Sequence, residues 1–279
     1  MKWATRFLKL IAVVLLAAVG VAGYSAWKSR KIPEWYKPFA LSAEQVEALA
    51  HRAENQIARV NNMAGRAHAL ESAARQGATA PTTVPSEQLR FREDELNALF
   101  LKWTAPDRDR IDKYLADPQI HLQDGTIIVA GTMKDLDKVI SIHLEPSIDS
   151  EGRLDLGLSA VYTGQLLIPS WALSQQIDKV DAALEQYLPI WQQDAALSPH
   201  GGSNEASVDA TLAKLALDAL HHELSPPYFF LRYVDPVRLT DVQVTDGEIT
   251  LTVQPLDEAE RNEALRDIKQ PWSPVKAAP

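Results

Sequence analysis

The chain has 279 residues, and 28 Lys and Arg against 37 Asp and Glu give it a net charge of −9 at pH 7. This length suits one large domain or two small ones, and the 46% share of hydrophobic residues excludes a chain disordered throughout. Because the sequence has no cysteine, it excludes disulfides, thiolate zinc sites, iron–sulfur clusters and a cysteine nucleophile.

An apolar run, FLKLIAVVLLAAVGVAGYSAW, fills residues 7–27. About 20 such residues cross a bilayer core as a helix, so we predict an N-terminal transmembrane helix. The alternative is a cleaved signal peptide, for which Gly20 and Ala22 would suit the peptidase. The length of the run favours an uncleaved signal-anchor in the cell membrane. Residues expected at the water–lipid interface follow it: Trp27, Lys28, Arg30, Lys31 and Trp35.

Charge is distributed unevenly about this anchor. Residues 1–37 hold seven basic residues and one acidic residue, whereas residues 38–279 carry a net charge of −15. Basic residues are nearly balanced across the predicted helix, so the positive-inside rule does not fix its orientation. We expect the large domain outside the cytoplasm, because long domains translocate with little regard to charge. The acidic domain disfavours nucleic acid as a partner, whereas the basic juxtamembrane segment suits anionic lipid.

A long amphipathic helix is predicted next, over residues 42–76. Ser42 and Gln45 have the spacing of a capping box, and apolar residues then recur at helical spacing. The small, polar and proline-containing residues 77–86 predict a flexible linker. We therefore divide the chain into an anchor and juxtamembrane segment (1–37), a helix and linker (38–86), and an α+β extracytoplasmic domain (87–279).

The domain is predicted to begin with a short strand at residues 88–91 and a helix at 93–103. Glu93, Asp94 and Glu95 fall in the first turn of that helix, where its dipole favours anions. This role is favoured over a catalytic carboxylate pair. A second short helix is predicted over residues 107–116.

From Pro118 the apolar period changes from helical to two, which is typical of strands. Asp124-Gly125 is a strong hairpin signal, and strands at residues 139–144 and 154–162 complete an antiparallel meander. The apolar face of such a sheet must be covered by helices, by another sheet or by a ligand. We expect an apolar groove on this face, lined by Ile140, Ile142, Leu144, Leu154, Leu156 and Leu158.

Two more amphipathic helices are predicted, one beginning at Ser170 and one over residues 207–223, with a loop at 198–204 between them. Residues 228–233 follow two prolines and are expected to form a strand covered on both faces. The alternative for them is an apolar lip that contacts lipid or a partner, with Arg232 at the head groups.

A closing hairpin is predicted around Asp246-Gly247, which follows Val244 with the same spacing by which Asp124-Gly125 follows Leu122. This similarity is weak evidence for a two-fold internal repeat, and chance is the alternative. The predicted fold class is therefore α+β, with a transmembrane helix and then a long-stranded antiparallel sheet packed with amphipathic helices.

No catalytic motif is present in the sequence. It lacks a Gly-x-Ser-x-Gly elbow, a phosphate-binding loop, a dinucleotide fingerprint and a His-Glu-x-x-His helix. His221, His222 and Glu223 are the only close residues of metal-binding type. Adjacent helical positions point about 100° apart, so the two histidines cannot bind one ion from a regular helix. We predict no catalytic residues, no metal and no cofactor.

Several short motifs occur in an order typical of a known family. They are Asp94-Glu95-Leu96-Asn97-Ala98-Leu99, Leu144-Glu145-Pro146, Gly152-Arg153-Leu154 and Gly164-Gln165-Leu166-Leu167-Ile168-Pro169. Together with the anchor, they resemble the YpmS-like proteins of bacteria. Relative to that family, the long helix at 42–76 of this chain would be an addition. The resemblance implies an external domain on a membrane anchor and supplies no catalytic residues. By analogy, its sheet wrapped by helices is similar in outline to tubular lipid-binding domains.

Two functional hypotheses follow. The first is an anchored, non-enzymatic domain whose sheet and helices enclose a groove for a lipid or another apolar ligand. The alternative is a scaffold with a filled core, whose helix at 42–76 binds a protein partner or a second copy through its small residues. An enzyme ranks third. Alternation of apolar residues specifies which face of a strand is buried and leaves open what buries it.

Overall fold

The computed structural model of this protein contains two antiparallel sheets and a long helix. The structure describes residues 31–37, 39–76, 86–105, 108–169, 218–219, 221, 223–225, 228–229 and 236–269. Within these residues, no helix is both long enough and apolar enough to cross a bilayer.

Several predictions fall on residues outside this set. They are the membrane helix at 7–27, nearly all of the linker at 77–86, the helix beginning at Ser170, the loop at 198–204 and most of the segments 207–223 and 228–233.

The described elements are numbered in chain order. The helices are α1 (Ala43–Arg75), α2 (Glu93–Thr104), α3 (Arg108–Ile111) and α4 (Glu258–Lys269). The strands are β1 (Glu87–Arg92), β2 (Leu115–Gln123), β3 (Thr126–Met133), β4 (Lys138–Leu144), β5 (Ser147–Ile148), β6 (Leu154–Asp155), β7 (Leu158–Thr163), β8 (Leu166–Leu167), β9 (Tyr228–Phe229), β10 (Val237–Thr245) and β11 (Glu248–Pro255).

All pairings between the described strands are antiparallel. A four-stranded sheet has the order β1-β11-β10-β9, a five-stranded sheet has the order β2-β3-β4-β7-β8, and β5 pairs with β6 alone. The prediction of an α+β fold with an antiparallel meander is therefore confirmed. Its long strands divide into two sheets, where the sequence predicted one.

The start of α1 confirms the predicted capping box. The backbone N–H of Gln45 donates to Ser42 Oγ at 3.2 Å, and the N–H of Ser42 donates to Gln45 Oε1 at 2.9 Å. These bonds satisfy backbone donors that a helix start leaves without an intrahelical partner.

The main core lies between α1, α2 and the four-stranded sheet. It contains small and apolar residues from one side of α1 together with residues of β1, α2, β2, β6, β10 and β11. The helix assigned to segment 38–86 thus shares one core with the domain assigned to 87–279. The residues that α1 contributes are Ala50, Ala53, Val60, Met63 and Ala64.

The predicted helix over residues 107–116 is wrong in length. Among its described residues only Arg108–Ile111 are helical, and β2 already begins at Leu115. Pro118 has no backbone N–H and disfavours a helical residue before it. Asp117 adopts a φ of +47°, and the strand register shifts between Ala116 and Gln119. The strand therefore contains a β-bulge at the proline.

The predicted strand over residues 154–162 is also divided. Leu154 and Asp155 pair with β5, while Leu158–Thr163 pairs with β4 as β7. Leu154 also exchanges two backbone hydrogen bonds with Ser225, at 2.9 and 2.8 Å. These bonds keep Leu154 outside the five-stranded sheet. The regular alternation of leucines in the sequence does not indicate this break in the strand.

Candidate functional site

Helix α2 is fixed to the outer edge of β2 by two polar side chains one helical turn apart. The Asn97 amide donates to the Ile120 carbonyl at 2.6 Å and accepts from the Ile120 N–H at 2.7 Å. Glu93 Oε2 accepts from the Leu122 N–H at 2.8 Å. The amide and carboxylate therefore take the place of a neighbouring strand, and they satisfy backbone groups that an edge strand leaves unpaired.

The three carboxylates at the start of α2 have different partners. Glu95 Oε2 accepts from the Arg92 N–H at 3.1 Å, and Asp94 Oδ1 accepts from the Glu95 N–H at 3.0 Å. Glu93 accepts from β2 and from His121 Nδ1, which lies 2.9 Å from its Oε2. Two of the carboxylates thus bind the helix start, as predicted for an acidic first turn. The third joins the helix to the sheet, which the sequence did not indicate.

Two hairpin tips meet beside the start of α2. The Gly125 N–H donates to the Val244 carbonyl and the Gly247 N–H donates to the Leu122 carbonyl, both at 3.0 Å. The Gly247 carbonyl accepts from the Glu93 N–H at 2.9 Å. The helix start, the β2–β3 turn and the β10–β11 turn are therefore held in one place.

Residues 31–37 and 39, which follow the predicted membrane helix, lie over one face of the five-stranded sheet; we call them the strap. The Tyr36 hydroxyl donates to the Asp117 carbonyl at 2.9 Å and lies 3.0 Å from Thr132 Oγ1. Its ring packs with Ala130 and Val139, and this burial raises the pKa of the Tyr36 phenol. The strap is thus bound to the sheet by both packing and hydrogen bonds.

Trp35 of the strap stacks on His121. The two rings are nearly parallel, at 2°, with centroids 5.1 Å apart. Trp35 also meets His143 edge to face, with centroids 6.4 Å apart. Because Glu93 Oε2 lies 2.9 Å from His121 Nδ1, the imidazole contacts an indole at its face and a carboxylate at its edge.

His143 lies on β4 beside this stack. Its Nε2 is 3.1 Å from Ser141 Oγ, and its ring packs against Tyr162 with centroids 4.7 Å apart. Burial, followed by the nearby His121, lowers the pKa of His143, while Glu145 opposes the shift. The neutral imidazole is therefore favoured at this position.

An open cleft of about 520 Å³ lies between α2, β2 and the strap; we call it the α2–β2 cleft. Its apolar lining comes from Trp35, Phe39 and Leu122. Its polar lining comes from Arg92, Glu93, Asp94, His121, Gln123, Asp246 and Gly247. Three carboxylates, of Glu93, Asp94 and Asp246, against the one guanidinium of Arg92 make this lining acidic.

The six residues predicted to line an apolar groove do not form one open surface. Ile140 and Ile142 are buried on the face of β4 opposite to His143. Leu154 is buried in the main core, and Leu156 packs against that core. Leu144 and Leu158 are partly buried neighbours at a register shift between β4 and β7.

The residues predicted at the membrane interface are partly described. Trp27, Lys28 and Arg30 lie outside the described residues, and Lys31 is exposed. Trp35 is partly buried on the sheet, as its stack on His121 shows. In the described part of the chain, no three His, Asp or Glu side chains are grouped as a metal site would require.

Sequence reasoning missed the roles of Asn97, His121 and Trp35. One signal was available for Asn97, because a polar residue among Leu96, Ala98 and Leu99 lies one turn after Glu93 and is buried with its neighbours. The Trp35–His121 stack had no local signal, since the two residues are far apart in the sequence.

Comparison with known proteins gives no assignment. No family model, curated protein or solved structure matches the chain. The resemblance to the YpmS-like family therefore stays a prediction that rests on the motifs of the sequence.

Proposed function

We propose that this protein is a single-pass, membrane-anchored and non-enzymatic extracytoplasmic domain that binds a lipid or another amphiphile in the α2–β2 cleft. The proposal rests on which elements supply the apolar and the charged walls of the cleft. Trp35 and Phe39 of the strap supply aromatic surface, whereas the start of α2 and the β10–β11 turn supply charged groups. Different elements therefore present the apolar and the polar parts, which suits a ligand with both.

The size of the cleft agrees with a small amphiphile. Ligand sites are commonly about 300–1,000 Å³, and about 520 Å³ lies within this range. This volume suits one acyl chain or a head group with the start of its chain. Leu122 is buried at the base of the cleft, and its backbone N–H is bonded to Glu93, so this wall is fixed before a ligand binds.

The polar lining selects among head groups. The Glu93 N–H is bonded to Gly247 and the Glu95 N–H to Asp94, so these donors at the start of α2 are already used within the chain. The remaining charge of the cleft is dominated by carboxylates. We therefore expect a head group that bears an amine or hydroxyls to bind better than an anionic one.

The scaffold alternative places a protein partner on α1. The small, apolar side of α1 is buried against the rest of the chain, so such a partner would have to use the polar side of the helix. No observation on that side favours a partner, and this alternative stays a prediction.

Thermal unfolding tests the proposal on a chain that begins at residue 31 and keeps every residue of the cleft. Lysophosphatidylethanolamine, at a concentration below its micellar threshold, should raise the unfolding midpoint more than the fatty acid of the same chain length. At one hundred times the dissociation constant, the stabilisation would be about 2.7 kcal/mol. Trp35→Ala and Phe39→Ala should each reduce this shift, whereas Leu167→Ala, outside the cleft, should keep it. Equal shifts in all four proteins would contradict the site, and no shift with any amphiphile would contradict the function.

A further inference from the structure

Exposed hydrophobic side chains are concentrated at one end of the five-stranded sheet. Among the residues that the structure describes, four large hydrophobic side chains are exposed: Ile32 (63%), Leu167 (53%), Tyr114 (45%) and Leu224 (37%). Three of them, Ile32, Tyr114 and Leu167, lie at or beside the same end of the sheet.

That end is formed by the start of β2, the β3–β4 turn and the β7–β8 turn. Leu115 pairs with Met133, which pairs with Lys138, and the Gly164 N–H donates to the Val139 carbonyl at 2.6 Å. These contacts place the three segments side by side, and Tyr114 directly precedes β2.

The strap reaches the sheet at this same end. The Gln165 side chain donates to the Ile32 carbonyl at 3.5 Å, beside the β7–β8 turn. Leu224 lies elsewhere, next to the Ser225–Leu154 bridge and beyond the opposite end of β4. The strap therefore meets the sheet at the end where Tyr114 and Leu167 are exposed.

The position of the predicted anchor limits how far this end can be from the membrane. Four residues lie between residue 27, where the predicted membrane helix ends, and Ile32, so these two positions are at most about 18 Å apart. From Leu115 at this end, β2 runs roughly 27 Å to the β2–β3 turn at the other end of the sheet. The predicted anchor therefore attaches the domain to the membrane at the end of the five-stranded sheet where Ile32 lies.

The charge of this end differs from that of the whole domain. The segments that form it, residues 31–32, 108–114, 134–138 and 163–167, contain six basic and four acidic residues, whereas residues 38–279 carry a net charge of −15. Four basic residues are exposed in the described part of these segments, against three exposed acidic ones; they are Lys31, Arg108, Lys113 and Lys134, and Asp109, Asp135 and Asp137. Lysine next to aromatic and aliphatic side chains is typical of surfaces at the head-group level of a bilayer.

We infer that Ile32, Tyr114 and Leu167, with Lys113 and Lys134, form a surface that rests on the head groups of an anionic bilayer and orients the domain, so that the α2–β2 cleft lies toward the membrane-distal end. This inference rests on the anchor in the proposed function. It adds a second membrane contact, made by the folded domain itself.

Depth-dependent quenching tests this contact in the full-length chain, reconstituted in vesicles of phosphatidylcholine with one quarter phosphatidylglycerol. Because the protein has no cysteine, Tyr114→Cys, Leu167→Cys and the matched control Leu224→Cys each take one fluorescent label. All three positions are exposed, so the substitutions are compatible with folding. A lipid that carries a quencher near its head group should quench the labels at 114 and 167 at least twofold more than the label at 224.

Flotation of the same vesicles separates the two ways in which the inference can fail. If the chain floats with the vesicles but all three labels are quenched equally, the anchor stands and the oriented contact is overturned. If the chain does not float, the anchor of the proposed function is wrong and the contact fails with it. Quenching that is strong at 114 and 167 and is reduced by Lys113→Glu with Lys134→Glu would support both the apolar and the basic parts of the surface.

Discussion

Gly125 and Gly247 occupy equivalent places at the tips of two hairpins, and each donates its backbone N–H to a strand of the other hairpin. Each hairpin has strands of nine and eight residues joined by an Asp-Gly turn. Each also has a register shift in its first strand. The spacing repeat seen in the sequence thus corresponds to two hairpins of the same form, whose turns join the two sheets beside the cleft.

Replacing either turn glycine with alanine should destabilise the protein. Gly125 and Gly247 have φ angles of +76° and +75°, where a Cβ costs roughly 1–2 kcal/mol. Gly125→Ala and Gly247→Ala should each lower the free energy of unfolding by about this amount in urea titrations. Gly65→Ala is the control, because Gly65 is an exposed helical glycine with open space at its Cβ, and alanine there should add up to about 1 kcal/mol. Losses of the same size in all three variants would contradict the assignment to the turn conformation.

Two side-chain amides cap edge strands in the same way but differ in burial, which makes a matched test. Asn97 bonds both backbone groups of Ile120 and is buried, whereas Gln56 bonds both backbone groups of Arg90 at an exposed edge of β1. Asn97→Ala should cost about 2–3 kcal/mol, because buried groups lose their partners. Gln56→Ala should cost less than about 1 kcal/mol, because water replaces the amide.

Hydrogen exchange locates the effect of these two substitutions. Asn97→Ala should speed exchange at the Ile120 amide and leave the Arg90 amide protected. Similar losses of stability for both variants would mean that burial does not decide the strength of the cap.

The sequence predicted local features well where one short pattern decides the structure. The Ser42–Gln45 cap, the alternation that precedes Asp124-Gly125 and the acidic first turn of α2 all have this character. It failed where a distant residue competes with the pattern. Leu154 forms backbone hydrogen bonds with Ser225, although the alternation of leucines predicts that it continues the strand of Leu158. Trp35 stacks on His121 only because the folded sheet brings these distant residues together. The cleft consists of four such distant segments, so no local pattern could indicate it.

Acid should destabilise the protein through His143. Its pKa in the folded state lies below the ordinary histidine value of about 6.5, so the unfolded chain binds more protons between the two values. The free energy of unfolding should therefore fall as the pH falls below about 6.5, and it should level off below the folded-state pKa. The groups that face this imidazole are His121, Glu145, Ser141, Tyr162 and Trp35.

Urea titrations between pH 5 and pH 8 measure this dependence. His143→Gln should flatten the acid side of the profile relative to the unmodified protein, since glutamine keeps a polar group near Ser141 without titrating. His51→Gln, which removes an exposed histidine from α1, is the matched control. If both variants flatten the profile equally, the buried position of His143 is not its cause.

A larger side chain at a buried alanine of α1 should show that this helix belongs to the core. Ala53 is fully buried in the cluster that joins α1 to α2 and the four-stranded sheet, whereas Ala58 is exposed on the same helix. Ala53→Leu should lower the free energy of unfolding by about 1–3 kcal/mol, because added methyl groups strain a filled core. Ala58→Leu should change it by less than about 0.5 kcal/mol. Urea titration of both variants measures the difference. A helix that stood apart to receive a partner would tolerate leucine at both positions, so equal stability would favour the scaffold alternative and separate α1 from the domain that holds the cleft.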